Sequence, residues 1–360
     1  MKLKKIAIIG TVGLPAKYGG FETLAEYLTK QLATDFELSV FCSSKSYKNK
    51  QKTHNGAQLK YIPLQANGVQ SIPYDIISIF KAMFYADVLL ILGVSGCIIL
   101  PFVHLFSRKK IVVNIDGLEW KRAKWGKYAK WFLKFSEKLA VKYAHTVVSD
   151  NKVIKEYVLK HYHIKSHLIA YGADHCKHEK LSKEVLLKFP FLAKNYAFKV
   201  CRIEPENNLE MILEAFSVFT ELNIVLIGNW GNSTFGRRMK EKFTPFKNIH
   251  LLDPIYNQNI LNQIRSNCYV YIHGHSAGGT NPSLVEAMYL QLPILAYGVQ
   301  YNKETTQYKA VYFQDKQELI QVLSTLNTTE LTVMAKNLKE VALNRYTWSI
   351  VAKQYALLLR

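Results

Sequence analysis

Short, uninterrupted apolar segments recur along this chain and alternate with segments of helical periodicity. Residues 6–10, 88–92 and 111–115 are clear examples. Continuous hydrophobicity, in place of strict alternation, is typical of strands that are buried on both faces of a parallel sheet. Between two such strands, residues 21–32 place their large apolar side chains on one helical face. The pattern predicts an α/β fold whose further first-half strands lie at 38–42, 59–62, 146–149 and 168–170.

The same alternation begins again in the second half of the chain. A length of 360 residues is long for one hydrophobic core and suits two domains. We expect two Rossmann-like, doubly wound parallel-sheet domains that face each other across a cleft, with the ligand in that cleft. The second-half strands are predicted at 197–201, 224–227, 269–273 and 293–296, and the helices at 209–219, 259–266 and 283–290.

Several protein classes are excluded by composition. A hydrophobic content of 49% argues against disorder, and five scattered cysteines without a C-x-x-C pair predict neither disulfides nor a zinc site. The apolar run at the start is too short for a signal peptide. Residues 88–107 contain no charged side chain and reach the length of a membrane span, but glycine and proline divide them. We therefore expect a buried strand, turn and short helix there.

Positive charge is concentrated in the first half of the chain. The formal net charge is +20. Lysine and arginine exceed aspartate and glutamate by 28 to 13 up to residue 180, and by 19 to 14 after it. Such asymmetry indicates an acidic partner, which can be a phospholipid surface, a nucleic acid or a polyphosphate ligand.

Residues 120–135 (WKRAKWGKYAKWFLKF) combine six basic with six aromatic side chains and contain no acid. Tryptophan beside lysine is typical of a helix that lies on anionic lipid. The alternative is a helix that packs its aromatic rings into the core while its lysines are solvated. Nucleic acid is disfavoured because no nucleic-acid-binding motif accompanies the charge. The predicted membrane-facing residues are Trp120, Lys121, Lys124, Trp125, Lys127 and Trp131.

The segment 271–290 (YIHGHSAGGTNPSLVEAMYL) allows two interpretations. Residues 274–278 fit the G-x-S-x-G motif, in which Ser276 would be the nucleophile of an α/β-hydrolase. That topology needs a histidine after the serine, but His275 is the last histidine, so a hydrolase would need an upstream histidine or a lysine base. Alternatively, the turn at 278–281 directs backbone N–H groups at an anion from a helix N-terminus.

Three blocks carry a family resemblance: residues 10–23 (GTVGLPAKYGGFET), 202–209 (RIEPENNL) and 274–288 (GHSAGGTNPSLVEAM). They resemble retaining glycosyltransferases of the GT-B fold, glycosyltransferase family 4-like, and within them the bacterial rhamnosyltransferases of capsule and cell-wall polysaccharide synthesis. Residues 345–348 (RYTW) resemble the final helix that returns to the first domain. The resemblance implies an acceptor- and membrane-facing domain at 1–175, joined by the C-terminal helix at 346–360, and a nucleotide-sugar-binding domain at 176–345.

The resemblance implies a nucleotide-sugar donor, whose departing diphosphate gathers negative charge in the transition state. Arg202 can clamp that diphosphate as a bidentate cation, unless it is used in a salt bridge. Glu286 is expected to hold the ribose hydroxyls. Two positions depart from the wider family pattern: Gly278 replaces a glutamate and Asn207 replaces a lysine. The predicted donor-binding residues are Gly19, Gly20, Arg202, Asn207, His275, Gly279, Thr280, Asn281 and Glu286.

Asp116 and Glu119 follow a predicted buried strand and are, with Arg202, the candidate catalytic residues. Either carboxylate can orient or deprotonate the acceptor hydroxyl, although a helix cap and a surface glutamate explain them equally well. The chain contains no D-x-D pair. We therefore expect no cofactor and no metal, with arginine and backbone dipoles in place of the cation.

The predicted function is transfer of L-rhamnose from dTDP-rhamnose to a lipid-linked saccharide acceptor. The alternatives are another donor, such as UDP-glucose, UDP-galactose or a UDP-N-acetylhexosamine, or else a serine hydrolase or a non-catalytic polyanion-binding protein. The expected location is cytoplasmic, at the inner face of the cell membrane, with an anionic membrane surface and no nucleic acid as partner.

Overall fold

The computed structural model describes residues 3–17, 19–122 and 125–360. The chain divides into two compact units: the first comprises residues up to Gly172 together with Trp348–Arg360, and the second comprises Ala173–Thr347. The predicted divisions were after residues 175 and 345. Each unit contains one β-sheet with helices, which is the α/β architecture that the alternating pattern predicts.

The first unit contains an eight-stranded sheet. Its order is β3-β4-β2-β1-β5-β6-β7-β8, and β3 pairs antiparallel with β4 while the other pairings are parallel. Because β1 lies between β2 and β5, the chain reverses its direction of winding at β1. The strands are β1 Lys5–Ile9, β2 Glu37–Ser43, β3 Thr53–His54, β4 Ala57–Ile62, β5 Val88–Leu92, β6 Lys110–Asn114, β7 Thr146–Ser149 and β8 His167–Leu168.

The helices of the first unit follow the strands in chain order. The uncharged segment 88–107 forms the buried strand β5, a turn and a short helix, as its glycines and proline predict. Among the described residues, no helix is long and apolar enough to cross a membrane. The helices are α1 Gly20–Leu32, α2 Ser71–Ala82, α3 Leu100–Phe106, α4 Lys127–Tyr143 and α5 Lys152–Tyr162.

The basic aromatic segment 120–135 is not one helix. A 3₁₀ turn spans Glu119–Lys121, and α4 begins only at Lys127, after Gly126. The Trp120 indole is half-buried and donates to Glu137 Oε2 over 3.1 Å, and Trp125 donates to Glu119 Oε1 over 3.0 Å. These two tryptophans therefore direct their polar edges inward, whereas Trp131 is exposed.

Three of the other predicted membrane-facing residues are lysines. Lys121 and Lys127 are exposed. Lys124 lies outside the described residues.

The second unit contains a six-stranded, fully parallel sheet in the order β11-β10-β9-β12-β13-β14. β9 lies between β10 and β12, so the winding reverses between β9 and β12. The two edge strands β11 and β14 are absent from the sequence prediction, because they are short and only partly buried. The strands are β9 Tyr196–Val200, β10 Asn223–Ile227, β11 Ile249–Leu252, β12 Val270–His273, β13 Ile294–Tyr297 and β14 Val311–Phe313.

Helices cover the second sheet, and a buried apolar core that includes Phe216, Leu226, Trp230 and Ile272 forms between the layers. The helices are α6 Lys183–Lys188, α7 Leu209–Val218, α8 Thr234–Phe243, α9 Gln258–Ser266, α10 Pro282–Tyr289, α11 Gln300–Thr305, α12 Lys316–Ser324 and α13 Thr328–Arg345.

The last helix, α14 (Trp348–Leu359), belongs to the first unit. Trp348 stacks on Tyr27 of α1 with ring centroids 4.5 Å apart. Tyr355 accepts a hydrogen bond from Asn114 Nδ2 over 2.9 Å at the end of β6. The chain thus returns to the first unit at α14.

Candidate active site

The loops after β9 and β12 meet where the winding of the second sheet reverses. Parallel strands present their carboxyl ends at one edge of a sheet, and the reversal leaves a crevice there in which α/β proteins bind ligands. Arg202 follows β9 by two residues, and His275 follows β12 by two. Sheet topology therefore brings together two motifs that lie about seventy residues apart in the sequence.

Asn207 links these two loops. Its Nδ2 donates to the backbone carbonyl of Arg202 over 2.8 Å, and its Oδ1 lies 3.1 Å from His275 Nδ1. Because the first hydrogen bond orients the amide, Oδ1 must accept, and Nδ1 of His275 carries the proton. Asn207 is 5% exposed. A lysine, which the wider family has here, would be buried and would lose both hydrogen bonds.

Two further links hold the same loops together. Asn208 Nδ2 donates to the Gly274 carbonyl over 2.8 Å. Ser276 donates both its backbone N–H and its hydroxyl to the Glu206 carbonyl, over 2.8 and 3.0 Å. The Ser276 hydroxyl is thus a structural donor, and the neighbouring His275 directs Nδ1 at Asn207. This geometry does not resemble an activated serine nucleophile.

The Arg202 side chain is exposed, and within the described ranges its guanidinium forms no ion pair or side-chain hydrogen bond. The salt bridge that would explain Arg202 structurally is therefore missing from the described part of the second unit, and the side chain remains available to a ligand.

The turn before α10 exposes backbone donors. Within the part of the chain that the structure describes, the N–H groups of Ala277, Gly278, Gly279 and Asn281 reach no protein acceptor. Gly278 has a φ of +94°, a conformation that glycine adopts readily and a glutamate does not. The turn geometry therefore explains why the family's glutamate is absent at this position.

The side chain of Asn281 caps helix α10, while its backbone N–H is the group predicted to meet the donor. Its Oδ1 accepts from the Ser283 N–H over 3.0 Å and from the Ser283 hydroxyl over 2.8 Å, which caps α10. Thr280 is buried. The backbone of this turn, together with the positive end of the helix dipole, is consequently the part that can meet an anion.

Two basic side chains, Arg265 and His175, hold the carboxylate of Glu286 on α10. Arg265 Nη1 donates to Glu286 Oε2 over 2.7 Å, and His175 Nε2 lies 3.0 Å from Oε1. Burial raises the pKa of Glu286, but Arg265 and His175 outweigh it and hold that pKa below its usual value. A carboxylate has about four acceptor positions. The ionised Glu286 can therefore still accept hydrogen bonds from two sugar hydroxyls.

The residues around Glu286 include the ligand types of a metal site. His175, Cys176 and Glu286 bring one ligand atom each to within 4.8 Å of one another. Arg265 donates to both Glu286 and the Cys176 sulfur, the latter over 3.0 Å. Burial also raises the pKa of the Cys176 thiol well above its usual value. The guanidinium already provides the positive charge, so the geometry favours arginine over a metal ion here.

Arg265, His175 and Asn208 are functional-site residues that the sequence analysis missed. Arg265 lies in the predicted helix 259–266. A polar residue on such a helix is expected to be exposed to solvent, yet the Arg265 side chain is only 6% exposed. No local signal distinguishes it, because its partner Glu286 lies 21 residues away.

The glycine turn of the first unit carries a carboxylate. Glu22 Oε1 accepts from the Val12 N–H over 2.7 Å, and a Cβ on Gly19 would lie 1.9 Å from Glu22 Oε2. Gly20 begins α1. The negative charge of Glu22 at this N-terminus disfavours a second anion, so the turn is better suited to a hydroxyl-bearing ligand than to a diphosphate.

The two acidic candidates after β6 differ. Glu119 Oε2 is paired with Arg122 over 2.9 Å, and its other oxygen accepts from Trp125. Asp116 has a φ of +60°, and its carboxylate forms no ion pair or hydrogen bond within the described ranges. The Glu119 carboxylate is thus used within its own loop, while the Asp116 carboxylate has no hydrogen-bond or ion-pair partner among the described residues.

Two known protein families match parts of the chain. Residues 3–174 match a domain family of unknown function (DUF1972), and residues 188–322 match the family of glycosyl transferases group 1. Residues 188–322 of the second unit are therefore similar to a glycosyltransferase group 1 domain. That domain includes Arg202, Asn207, His275 and Glu286 and supports glycosyltransferase activity. No curated protein sequence matches the chain.

Solved structures resemble the chain over nearly its whole length. A sucrose-phosphate synthase from Thermosynechococcus elongatus has a TM-score of 0.79 at 14% identity, covering 99% of this chain and 98% of its own. Anabaena HepE in complex with UDP-glucose has a TM-score of 0.77 at 14% identity, covering 99% of each chain. A glycosyltransferase from Rickettsia africae has a TM-score of 0.73 at 13% identity, covering 100% and 98%. These similarities establish the GT-B fold, whereas the reaction depends on the site.

Proposed function

We propose that this protein is a retaining glycosyltransferase whose second unit binds a nucleotide diphosphate sugar. One observation carries the proposal: the exposed Arg202 guanidinium, which has no partner among the residues that the structure describes, lies in the loop that Asn207 connects to the loop preceding the donor-rich turn at 277–281. A cation and a row of N–H groups form a site for a diphosphate.

The proposed chemistry follows from where charge develops. When the bond between the sugar and the diphosphate breaks, the phosphate oxygens gain negative charge and the sugar becomes cation-like. Arg202, the N–H groups of Gly278 and Gly279 and the dipole of α10 stabilise that charge. Glu286, held ionised by Arg265, binds the ribose hydroxyls and positions the nucleotide. Because guanidinium and backbone dipoles provide the positive charge, we propose that the reaction needs no divalent metal.

We propose L-rhamnose from dTDP-rhamnose as the donor, on the resemblance of the blocks at 10–23, 202–209 and 274–288. The principal competitor is a UDP-sugar, since HepE, which shares the fold, has been solved with UDP-glucose. Asn207 and Gly278 depart from the pattern of the wider family, which favours a donor whose sugar is bound through different protein contacts.

The acceptor is proposed to be a lipid-linked saccharide at the inner face of the cell membrane, in bacterial surface polysaccharide synthesis. The first unit supplies its binding groups, with Asp116 as the carboxylate that orients the acceptor hydroxyl. Glu119 is a weaker candidate for this role because Arg122 already neutralises it.

A panel of donors tests this function. Purified protein is titrated with dTDP-rhamnose, UDP-glucose, UDP-galactose and UDP-N-acetylglucosamine in a thermal-shift assay, because a matching ligand stabilises by mass action. The donor that binds is then supplied with a lipid extract in the presence of EDTA. Transfer with retained anomeric configuration supports the proposal. Binding of none of the four would contradict it, and transfer only after metal addition would contradict the metal-free mechanism.

A further inference from the structure

A group of exposed apolar side chains joins α2 and α3 in the first unit. Phe80 packs against Phe84 and Phe102, with ring centroids 5.1 and 6.2 Å apart, and Phe102 packs against Phe106 at 4.5 Å. Phe84, Leu105 and Phe106 are 69%, 75% and 63% exposed. We call these five residues the aromatic ridge. Packed rings that face solvent together mark an interaction surface, because isolated monomers rarely expose such patches.

The neighbouring helix α4 continues this apolar surface. It packs beside α3 and carries Trp131 and Phe135, which stack with centroids 5.9 Å apart. Trp131 is 69% exposed. Both side chains lie one helical turn apart and therefore on the same side of α4. Three adjacent helices consequently contribute exposed aromatic groups.

The exposed charges on these elements are all positive. The two acids, Asp75 and Glu137, are buried, and Glu137 accepts hydrogen bonds from Tyr157 and Tyr162. Burial raises the pKa of Asp75 well above its usual value. The basic residues on α2, on α4 and at 107–110 are Lys81, Arg108, Lys109, Lys110, Lys127, Lys130, Lys134, Lys138 and Lys142.

We propose that the aromatic ridge, with Trp131 and the lysines of α4, is the surface by which the first unit binds an anionic lipid bilayer. Leu105 and Phe106 enter the headgroup region, and the lysines contact lipid phosphates. This surface lies on α2, α3 and α4 and does not involve Trp120 and Trp125, whose indoles bond inward. The inference rests on the proposed function only in that a lipid-linked acceptor resides in such a bilayer.

Two other occupants fit less well. Nucleic-acid-binding surfaces separate their aromatic rings so that bases can stack on them, whereas the ridge phenylalanines pack edge-on or tilted against one another and the aliphatic Leu105 lies among them. A second copy of this chain would place lysines against lysines in a symmetric contact, which repels. An anionic, apolar-cored bilayer complements both features.

Vesicle flotation tests the proposal with full-length protein. The vesicles contain phosphatidylcholine alone or phosphatidylcholine mixed with phosphatidylglycerol. We expect the wild type to float with the anionic vesicles. A Leu105→Ser/Phe106→Ser variant should lose roughly tenfold or more of its partitioning. A Lys130→Glu/Lys134→Glu variant should lose binding most strongly at low salt.

Matched controls make the same kinds of change in hydrophobicity and charge at sites away from the ridge. Leu187→Ser removes an 82% exposed leucine on α6 in the second unit, and Lys155→Glu/Lys160→Glu reverses two exposed lysines on α5. Both controls should float like the wild type. Thermal denaturation should show that the ridge variants fold, because Leu105 and Phe106 are exposed.

Each result decides between the occupants. Wild-type protein that does not float, or ridge variants that float like the wild type, would overturn the proposal. The proposal would also be overturned if the wild type formed a dimer or a nucleic-acid complex that the Leu105→Ser/Phe106→Ser variant lost while that variant still bound vesicles. Nucleotide-sugar turnover without vesicles should be equal in the wild type and the ridge variants. Vesicle binding without any turnover would support this surface and contradict the proposed function.

Discussion

Arg265 donates from Nη1 to Glu286 Oε2 over 2.7 Å, between helices α9 and α10 of the second unit. The Arg265 side chain is 6% exposed, and its other donors reach Asn262 and Cys176. Glu286 is therefore held in one orientation and kept ionised, which is what a group that binds sugar hydroxyls requires. Removing either partner leaves a buried charge without compensation.

Acid should weaken this pair. The folded-state pKa of Glu286 lies below its usual value, so its contribution to stability is present above the unfolded-state pKa, about 4.3, and is lost as pH falls through the folded-state pKa. Glu286→Ala should cost on the order of 3 to 5 kcal/mol at pH 7. Thermal denaturation of wild type and Glu286→Gln should show a gap in Tm at pH 7 that narrows below pH 4.

The control for this titration is Glu241→Gln, which alters an exposed glutamate on α8. Its Tm should follow the wild type at every pH. A gap for Glu286→Gln that does not depend on pH would show that packing, and not the ion pair, accounts for the effect.

Arg202→Ala should impair catalysis without destabilising the fold. The loss of a charged contact to the leaving diphosphate is worth on the order of 2 to 4 kcal/mol, or about 30- to 1000-fold in kcat/KM. No ion pair within the described ranges depends on Arg202, so Tm should change little. Arg238→Ala, which removes an exposed arginine paired with Glu210 on the same unit, should leave steady-state turnover unchanged. Retention of activity within about threefold by Arg202→Ala would contradict the leaving-group role.

Gly274→Ala should disturb the contact between the two site loops. A Cβ at this position would lie 2.3 Å from the Asn207 carbonyl oxygen and 2.5 Å from Ile212 Cδ1. Relieving this overlap should cost about 1 to 3 kcal/mol and shift the Asn207–His275 link, which lowers donor affinity. Gly231→Ala is the matched control, because its nearest atom would be 3.9 Å away. Urea denaturation and nucleotide titration of both variants measure the difference, and equal behaviour of the two would refute the steric argument.

Ser276→Ala should retain turnover within a few-fold of the wild type. The hydroxyl donates to the Glu206 carbonyl over 3.0 Å, so its loss should cost about 1 kcal/mol of stability. A serine hydrolase would lose nearly all activity. Assays of nucleotide-sugar turnover and of ester hydrolysis, run on the same preparations, separate the two mechanisms.

The sequence by itself predicted the tandem α/β architecture, because strands buried on both faces are continuously apolar and that signal is local. It also named Arg202 and the glycine turn at 278–281 as donor-binding candidates, from the family resemblance and the charge of the expected diphosphate, and these remain predictions. The edge strands β11 and β14 were missed because short, half-buried strands carry too little hydrophobicity to be distinguished.

Only the tertiary structure decided how individual side chains are used. It paired Arg265 with Glu286 across 21 residues and Asn207 with His275 across 68. It turned Trp120 inward, and it exposed Phe84, in the turn after α2, together with Leu105 and Phe106 of α3, although no sequence pattern connects these two segments. Hydrophobic periodicity indicates whether a segment is buried, but it does not indicate which distant segment packs against it. That partner determines whether a tryptophan, a glutamate or an arginine contributes to the core, to ligand binding or to the surface.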